Sequence, residues 1–572
     1  LVAWALQRSI GRRAAEIGGV WYYASLALFW APIVLAVLEF QPVVLRAMFA
    51  HAKNAGNDLA NFAAALKYLG TVLAPLSAVV GFLSRPLAAV LKPKAEQPGW
   101  TSFVSKAVAT AAVYLAGIAI PFLLWLAYIY LSYWGICRDD ASPCRILAPI
   151  WLQDLAYCLF GDPERLVRLY FAVAVVLIVL SLMLTANANS LHRIYRDRLS
   201  KAFLFDPAQR QRALFARVPQ AGGVQHTDRD LAPLDHFRLQ DIRGDCAPYH
   251  LINTALNIQG SKWANRRGRN ADFFFFSPKY IGGEATGYVL TETMENKIRK
   301  LDLATAMAIS GAAASANMGA NTIKPLTITL AILNIRVGFW LPSPGAVTGS
   351  VARLTVKRII DNFYFLKELL GSLRETDDLV YLTDGGHVEN LGVYELLRRR
   401  CRLIISVDAE ADPAMSFASL VRLERMARID LGIRIELPWG PIREATRTAA
   451  AAIAASGGQL VSGQATGPHC AIGTMVYPTG DVGILFYVKS SITGDEPDYI
   501  IDYKRRFSAF PQETTLDQLF GEEQFEAYRA LGFHAMHRAL EGEDDICVGT
   551  SKERLSRTAI MQLTRDAYDI LF

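Results

Sequence analysis

The chain has 572 residues, 52% hydrophobic and 20% charged, enough for membrane-type segments followed by a large globular domain. Its net charge of +6 is modest and spread along the chain, so composition gives no support to a nucleic-acid partner. The seven cysteines lie far apart with no C-x-x-C pair, and neither a cysteine zinc site nor a disulfide framework is indicated. The first methionine is Met48, and a chain opening on Leu1 reads as N-terminally incomplete.

Residues 20–38, 107–136 and 169–191 are uncharged runs of 19, 30 and 23 residues, each long enough to cross a hydrocarbon core as a helix. Residues 68–84 form a shorter run of 17 with two glycines and a proline, a fourth crossing or a re-entrant hairpin. Basic flanks at Arg8, Arg12 and Arg13, at Arg85, Lys92, Lys94 and Lys106, and at Arg193, Arg196, Arg198 and Lys201 share one side only if all four segments cross. The expectation is a four-helix membrane region over 1–191 and a cytoplasmic domain over 192–572, placing the protein as multi-pass in a bacterial inner membrane.

Within that domain, 187–201 reads as a basic helix, and 248–257 and 272–280 as buried strand-and-turn pieces. Residues 301–318 read as one helix rich in alanine, serine and glycine, 326–337 as a helix or strand, and 361–370 as helical. The stretch 380–413 reads as strand, Asp384-Gly385-Gly386 turn, helix, strand. Asn390 is the natural N-cap for a helix over 391–400, with Glu395 and Arg399 one turn apart. Strand, helix and strand with short links predict a parallel crossover, with Asp384 at the strand's carboxyl end, where open α/β sheets carry their chemistry. A helix follows over 417–428. The low-complexity stretch 442–469 reads as a surface loop, 470–477 and 482–489 as a hairpin, and 515–540 as a closing helix.

An aspartate on a glycine turn at a strand end suits a general base, and also suits an ordinary turn. Asp408, ending the next strand, competes with it. Asp384, His387 and Glu389 could be read as metal ligands, but no second cluster completes a shell, and neither a metal nor a cofactor is expected. The arginines Arg398, Arg399 and Arg400 end a helix, where cations favour its dipole.

The stretch LTDGGHVENLGVYELLRRRCRLIISVDAEADP resembles the acid-residue motif of the patatin-like phospholipase superfamily. More narrowly, it is similar to bacterial membrane-attached members related to cytosolic phospholipase A and fungal lysophospholipases. HLINTALN, FFFFSPKYIGG, LATAMAISGAAASANMG, LNIRVGFWLP and TTLDQLFGEEQFEAYRALG resemble further blocks in the same order, so the likeness spans most of 187–535. It implies a three-layer α/β hydrolase core, here its C-terminal part, preceded by the transmembrane segment. It implies a serine–aspartate dyad acting on the acyl esters of membrane lipids, with Asp384 as the base and Gly385 and Gly386 as its turn. The chain departs from the pattern at the nucleophile. No serine lies in G-x-S-x-G, and Ser310, in A-I-S-G-A, and Ser456, in A-A-S-G-G, are the nearest approximations. Ser310 is therefore a packing serine and the one nucleophile candidate within the chain, the elbow itself being expected upstream of residue 1. The competing reading is a non-catalytic, membrane-anchored lipid-binding or scaffold protein with a degenerate fold.

Overall fold

The structure is a computed structural model. It describes a few residues between 121 and 128, residues 150–161 and 166–183, and most of 187–554, leaving out 205–233, 243–248, 349–363, 456–466, 514–519 and some shorter pieces. The chain divides into two units, Leu1–Thr185 and Ala186–Phe572.

In the first unit, α1 (Ile150–Phe160) packs against α2 (Leu166–Met183). The membrane expectation is corrected here: no helix among the described residues is long and apolar enough to cross a membrane. Of the span expected at 169–191, the described residues include α2 as far as Met183. The segments 20–38 and 68–84 and nearly all of 107–136 lie outside the described residues. The multi-pass inner-membrane placement falls with the spans, as does the sidedness drawn from the basic flanks.

The second unit begins with α3 (His192–Phe203) and then mixes helices with two sheets. The first sheet holds β1 (Ile252–Asn257), β2 (Ala271–Phe276), β3 (Tyr280–Gly283), β4 (Gly287–Leu290), β5 (Phe339–Pro342) and β6 (Leu379–Asp384), in the order β4-β3-β2-β1-β6-β5. All its pairings are antiparallel. The second holds β7 (Leu403–Asp408), β8 (Arg434–Glu436), β9 (Cys470–Val476), β10 (Val482–Lys489), β11 (Asp545–Val548) and β12 (Ser551–Arg554), in the order β12-β11-β9-β10-β7, with β8 on β9. The helices between and after them are α4 (Thr291–Lys297), α5 (Leu303–Ser310), α6 (Thr327–Ile332), α7 (Pro344–Val347), α8 (Tyr364–Leu370), α9 (Tyr394–Arg398), α10 (Ala418–Met426), α11 (Gly440–Ala455), α12 (Asp498–Arg506) and α13 (Glu522–Glu541).

The α/β class stands, but the three layers about one sheet do not: β6 and β7 lie in different sheets. Both flanks of β6 are taken, by β1 and β5, so the chain leaving it cannot return beside it. β7 instead pairs in parallel with β10, Leu403 opposite Ile484 through Asp408 opposite Lys489. Asp384 is thus the last residue of an antiparallel strand, facing Thr254 of β1.

The four-phenylalanine run explains how the first sheet is buried. Side chains alternate across a strand. Phe273 and Phe275 enter a core shared with Ile404, Leu485 and Tyr487 of the second sheet and with α9 and α10. Phe274 and Phe276, fully buried, enter a core with Met294 of α4 and Ile309 of α5. Each fully buried side chain of this size contributes about 1.5–3 kcal/mol, so a continuous apolar run suits a strand covered on both faces.

Local chemistry set several boundaries away from the expected ones. Asp302 caps α5 by accepting the Thr305 N–H at 2.8 Å, and its other oxygen takes Arg196 of α3 at 2.7 Å. The helix expected to reach 318 ends at Ser310, where the Tyr195 hydroxyl lies only 2.6 Å from where a Cβ on Gly311 would stand. The helix expected at 391 starts at Tyr394, because buried Glu389, not Asn390, takes the orphan N–H groups of Leu391 (2.5 Å) and Tyr394 (3.1 Å). The expected loop at 442–469 is helical as far as Ala455, as its alanine run favours; 456–466 lies outside the described residues. The expected hairpin forms as β9 and β10, turning over Tyr477–Gly480.

Candidate active site

Asp384 is held by its own turn and by the chain leaving α5. Its side chain accepts the Gly386 N–H at 2.7 Å, and its backbone N–H donates to the Ala312 carbonyl at 3.3 Å. Gly385 and Gly386 open a single 3₁₀ turn. Neither needs glycine for a left-handed backbone; both need it for space. A Cβ on Gly385 would stand 2.7 Å from the Asn253 carbonyl oxygen of β1, and one on Gly386 would collide with Asn390 Oδ1.

Burial raises the Asp384 carboxyl from its ordinary 3.8 to about 6, against the pull of the Gly386 N–H. The group therefore titrates just below neutrality, where a carboxylate is both largely ionised and basic enough to take a proton.

Ser310 ends α5 beside it. The segment Ser310–Ala312 runs along Asp384, and the Ser310 hydroxyl donates to the Asn253 carbonyl at 2.8 Å. That carbonyl is also the atom facing Gly385. The fold thus brings together the two candidates on either side of Asn253, but no hydrogen bond joins Ser310 to Asp384. Asn253 Oδ1 is buried with no hydrogen-bond partner.

Tyr195, from α3, is the third side chain at this point. Burial, and then the charge on Asp384, raise its phenol above the ordinary range. Neither Tyr195 nor Asn253 could be picked out in the sequence. Tyr195 sits in a stretch whose only pattern is basic, and Asn253 matters chiefly through a backbone carbonyl.

The competing groups are committed elsewhere. Asp408 ends β7 deep in the fold, pairs with Lys489 Nζ at 3.0 Å, and accepts the Tyr487 hydroxyl and the Glu410 N–H. Both its oxygens are occupied, which makes it an anchor and not a proton acceptor. His387 contacts Thr383 Oγ at 3.0 Å, and burial lowers its pKa to about 4. Glu389 caps α9. Asp384, His387 and Glu389 therefore serve separate partners and do not converge on a metal position. Arg398 and Arg399 both close on Glu395, at 2.7 and 2.8 Å. Ser456 lies outside the described residues.

Comparison of the chain with protein-family models, with curated proteins and with solved structures returns no match.

Proposed function

We propose that the chain belongs to a patatin-like serine acyl hydrolase in which Asp384 is the general base. One observation carries this reading: a half-buried strand-end carboxylate, held through a single glycine N–H and raised to about 6, stands beside a serine-bearing helix end. The sequence resemblance supports a lipid acyl ester, of phospholipid or lysophospholipid type, as the substrate class.

In the proposed reaction a serine Oγ attacks the acyl carbon while its proton passes to Asp384. The tetrahedral intermediate collapses, the ester C–O bond breaks, and the leaving alcohol takes the proton from Asp384. Asp384 then accepts a proton from water as the water oxygen attacks the acyl-enzyme. The serine leaves with that proton, and the free fatty acid is released.

Ser310 is the serine at hand, and it serves only if its hydroxyl turns from the Asn253 carbonyl toward Asp384. An activity-directed fluorophosphonate applied to the full-length gene product reads the nucleophile directly. Labelling lost in Ser310→Ala assigns Ser310; labelling that survives it puts the nucleophile elsewhere in the protein. In either case Asp384→Asn is expected to lower ester turnover by about 10²–10⁴-fold. Turnover retained in a folded Asp384→Asn protein overturns the proposal. The Ser310–Asn253 hydrogen bond favours a second reading, a lipid-binding protein without turnover, which the same assay separates by finding neither labelling nor hydrolysis.

A further inference from the structure

Far along the chain from Asp384, three ligand-type side chains meet where α13 covers the second sheet. His469 immediately precedes β9, Asp495 follows β10, and His534 lies on α13. One nitrogen or oxygen from each lies within 4.8 Å of the others. The His469 side chain is 0% exposed, Asp495 5% and His534 12%.

Two hydroxyls flank the His469 ring, Ser491 at Nδ1 and Thr493 at Nε2. Ser491 Oγ donates to the Lys489 carbonyl at 3.2 Å, so its single proton is used there. Its contact with His469 Nδ1 at 3.0 Å is then one in which Nδ1–H donates. His469 Nε2 lies 3.4 Å from Asp495 Oδ1 and 3.1 Å from Thr493 Oγ, whose own proton goes to Asp495 Oδ1 at 2.7 Å; without an ion Nε2 therefore carries a proton, which a bound ion would displace. His534 Nε2 also lies 3.3 Å from Asp495 Oδ1, buried and without a hydrogen-bond partner. Two imidazole nitrogens and a carboxylate oxygen thus converge at spacings longer than the ~2.7–2.9 Å of charge-assisted hydrogen bonds. The two nitrogen–oxygen spacings match the ~3.3 Å between ligands of a tetrahedral ion bound at about 2.0–2.1 Å.

The other Asp495 oxygen faces Arg538 Nε at 2.7 Å, and Oδ1, which accepts the Thr493 hydroxyl at 2.7 Å, keeps a second lone pair for the cluster. Glu496, fully buried, has a carboxylate oxygen 3.9 Å from His469 Nε2. Its two oxygens accept the N–H groups of Thr493 (2.6 Å) and Gly494 (2.9 Å). With both imidazoles neutral, two carboxylates face one guanidinium, and the pocket holds excess negative charge out of water. Protons on the histidines or a metal ion would offset that charge.

We propose that His469, Asp495 and His534 bind a single divalent transition-metal ion of the zinc class, which fastens α13 to the strands it covers. Three protein ligands take three corners of a tetrahedron, and a water molecule takes the fourth. Ser491 supplies the support that orients a ligating histidine. The site is built for fastening, since its ligands come from two strand ends and a helix and are nearly closed to solvent.

The test uses the full chain, dialysed against micromolar Zn²⁺ and then metal-free buffer. About one zinc per chain is expected by elemental analysis, along with a melting temperature that falls on treatment with a strong chelator. In His534→Ala the zinc content is expected to drop at least tenfold and the chelator effect to vanish, while His537→Ala, on the same helix, retains both. A Co²⁺ titration of the unmodified chain separates ligation from folding. Tetrahedral nitrogen–oxygen coordination gives visible absorption bands that the chelator abolishes. Less than a tenth of a zinc per chain and no cobalt bands overturn the proposal, and mean that the cluster is a protonated histidine–carboxylate network.

Discussion

Replacing Asp384 by asparagine should make the protein more stable while removing its base. The amide keeps an oxygen for the Gly386 N–H but carries no charge to bury. The magnitude follows from the raised pKa. In the folded chain Asp384 titrates at about 6, against an ordinary 3.8. A carboxyl raised on folding supports the native state fully below the unfolded value. That contribution is lost as pH climbs from there to the folded value. At about 1.36 kcal/mol per unit, the charged form costs roughly 1.5 kcal/mol at pH 5 and about 3 kcal/mol above pH 7. The second figure is an upper bound, because the Gly386 N–H binds a carboxylate more strongly than an amide. Urea unfolding of both proteins from pH 5 to pH 8 tests this. The variant should be the more stable throughout, its advantage growing with pH and levelling near pH 7. An advantage that is constant or shrinks with pH would refute the burial account of Asp384, and with it the case for a base poised near neutrality.

If Asp384 acts as the base, kcat/KM for ester hydrolysis should fall about tenfold per pH unit below an apparent pKa near 6, as burial of the carboxyl requires; a profile flat down to pH 4.5 contradicts that role. Gly385→Ala drives a methyl against the β1 backbone at Asn253 and should cost about 1–3 kcal/mol in urea unfolding, with loss of turnover. Lys489→Met strands the buried Asp408 charge and should cost about 3–5 kcal/mol, whereas Asp408→Asn with Lys489→Met should recover much of that loss. A single variant within 1 kcal/mol of the parent would show that Asp408 does not depend on its lysine.

What the sequence revealed was local. The four phenylalanines announced a buried strand, the turn at Pro478–Gly480 announced its hairpin, and Asp384-Gly385-Gly386 announced a strand end. Errors arose where distant groups decide. The partners of β6 come from residues more than a hundred positions earlier and some forty positions earlier, so strand–helix–strand spacing could not show that both its flanks were filled. Asn390 has the better capping propensity, yet the burial of Glu389 gave the cap to a carboxylate whose oxygens already faced the open N–H groups. The apolar run at 169–191 was legible as helix, and α2 is helical as far as Met183. Tyr195 reaches Asp384 only because α3 lies along α5, a packing with no signature in either segment.

That packing makes α5 a strut clamped at both ends by consecutive residues of one neighbour. Arg196 holds Asp302 at its start, and Tyr195 closes over Gly311 just past its end. The eight residues between span about 12 Å, too short and too regularly bonded to bend. Motion of α3 is therefore transmitted along a rigid rod to the Ser310 hydroxyl and the Ala312 carbonyl. The distance from Ser310 to Asp384 is thus geared to a helix that carries neither residue, so a substitution at Asp302 will be felt most at the far end of the rod.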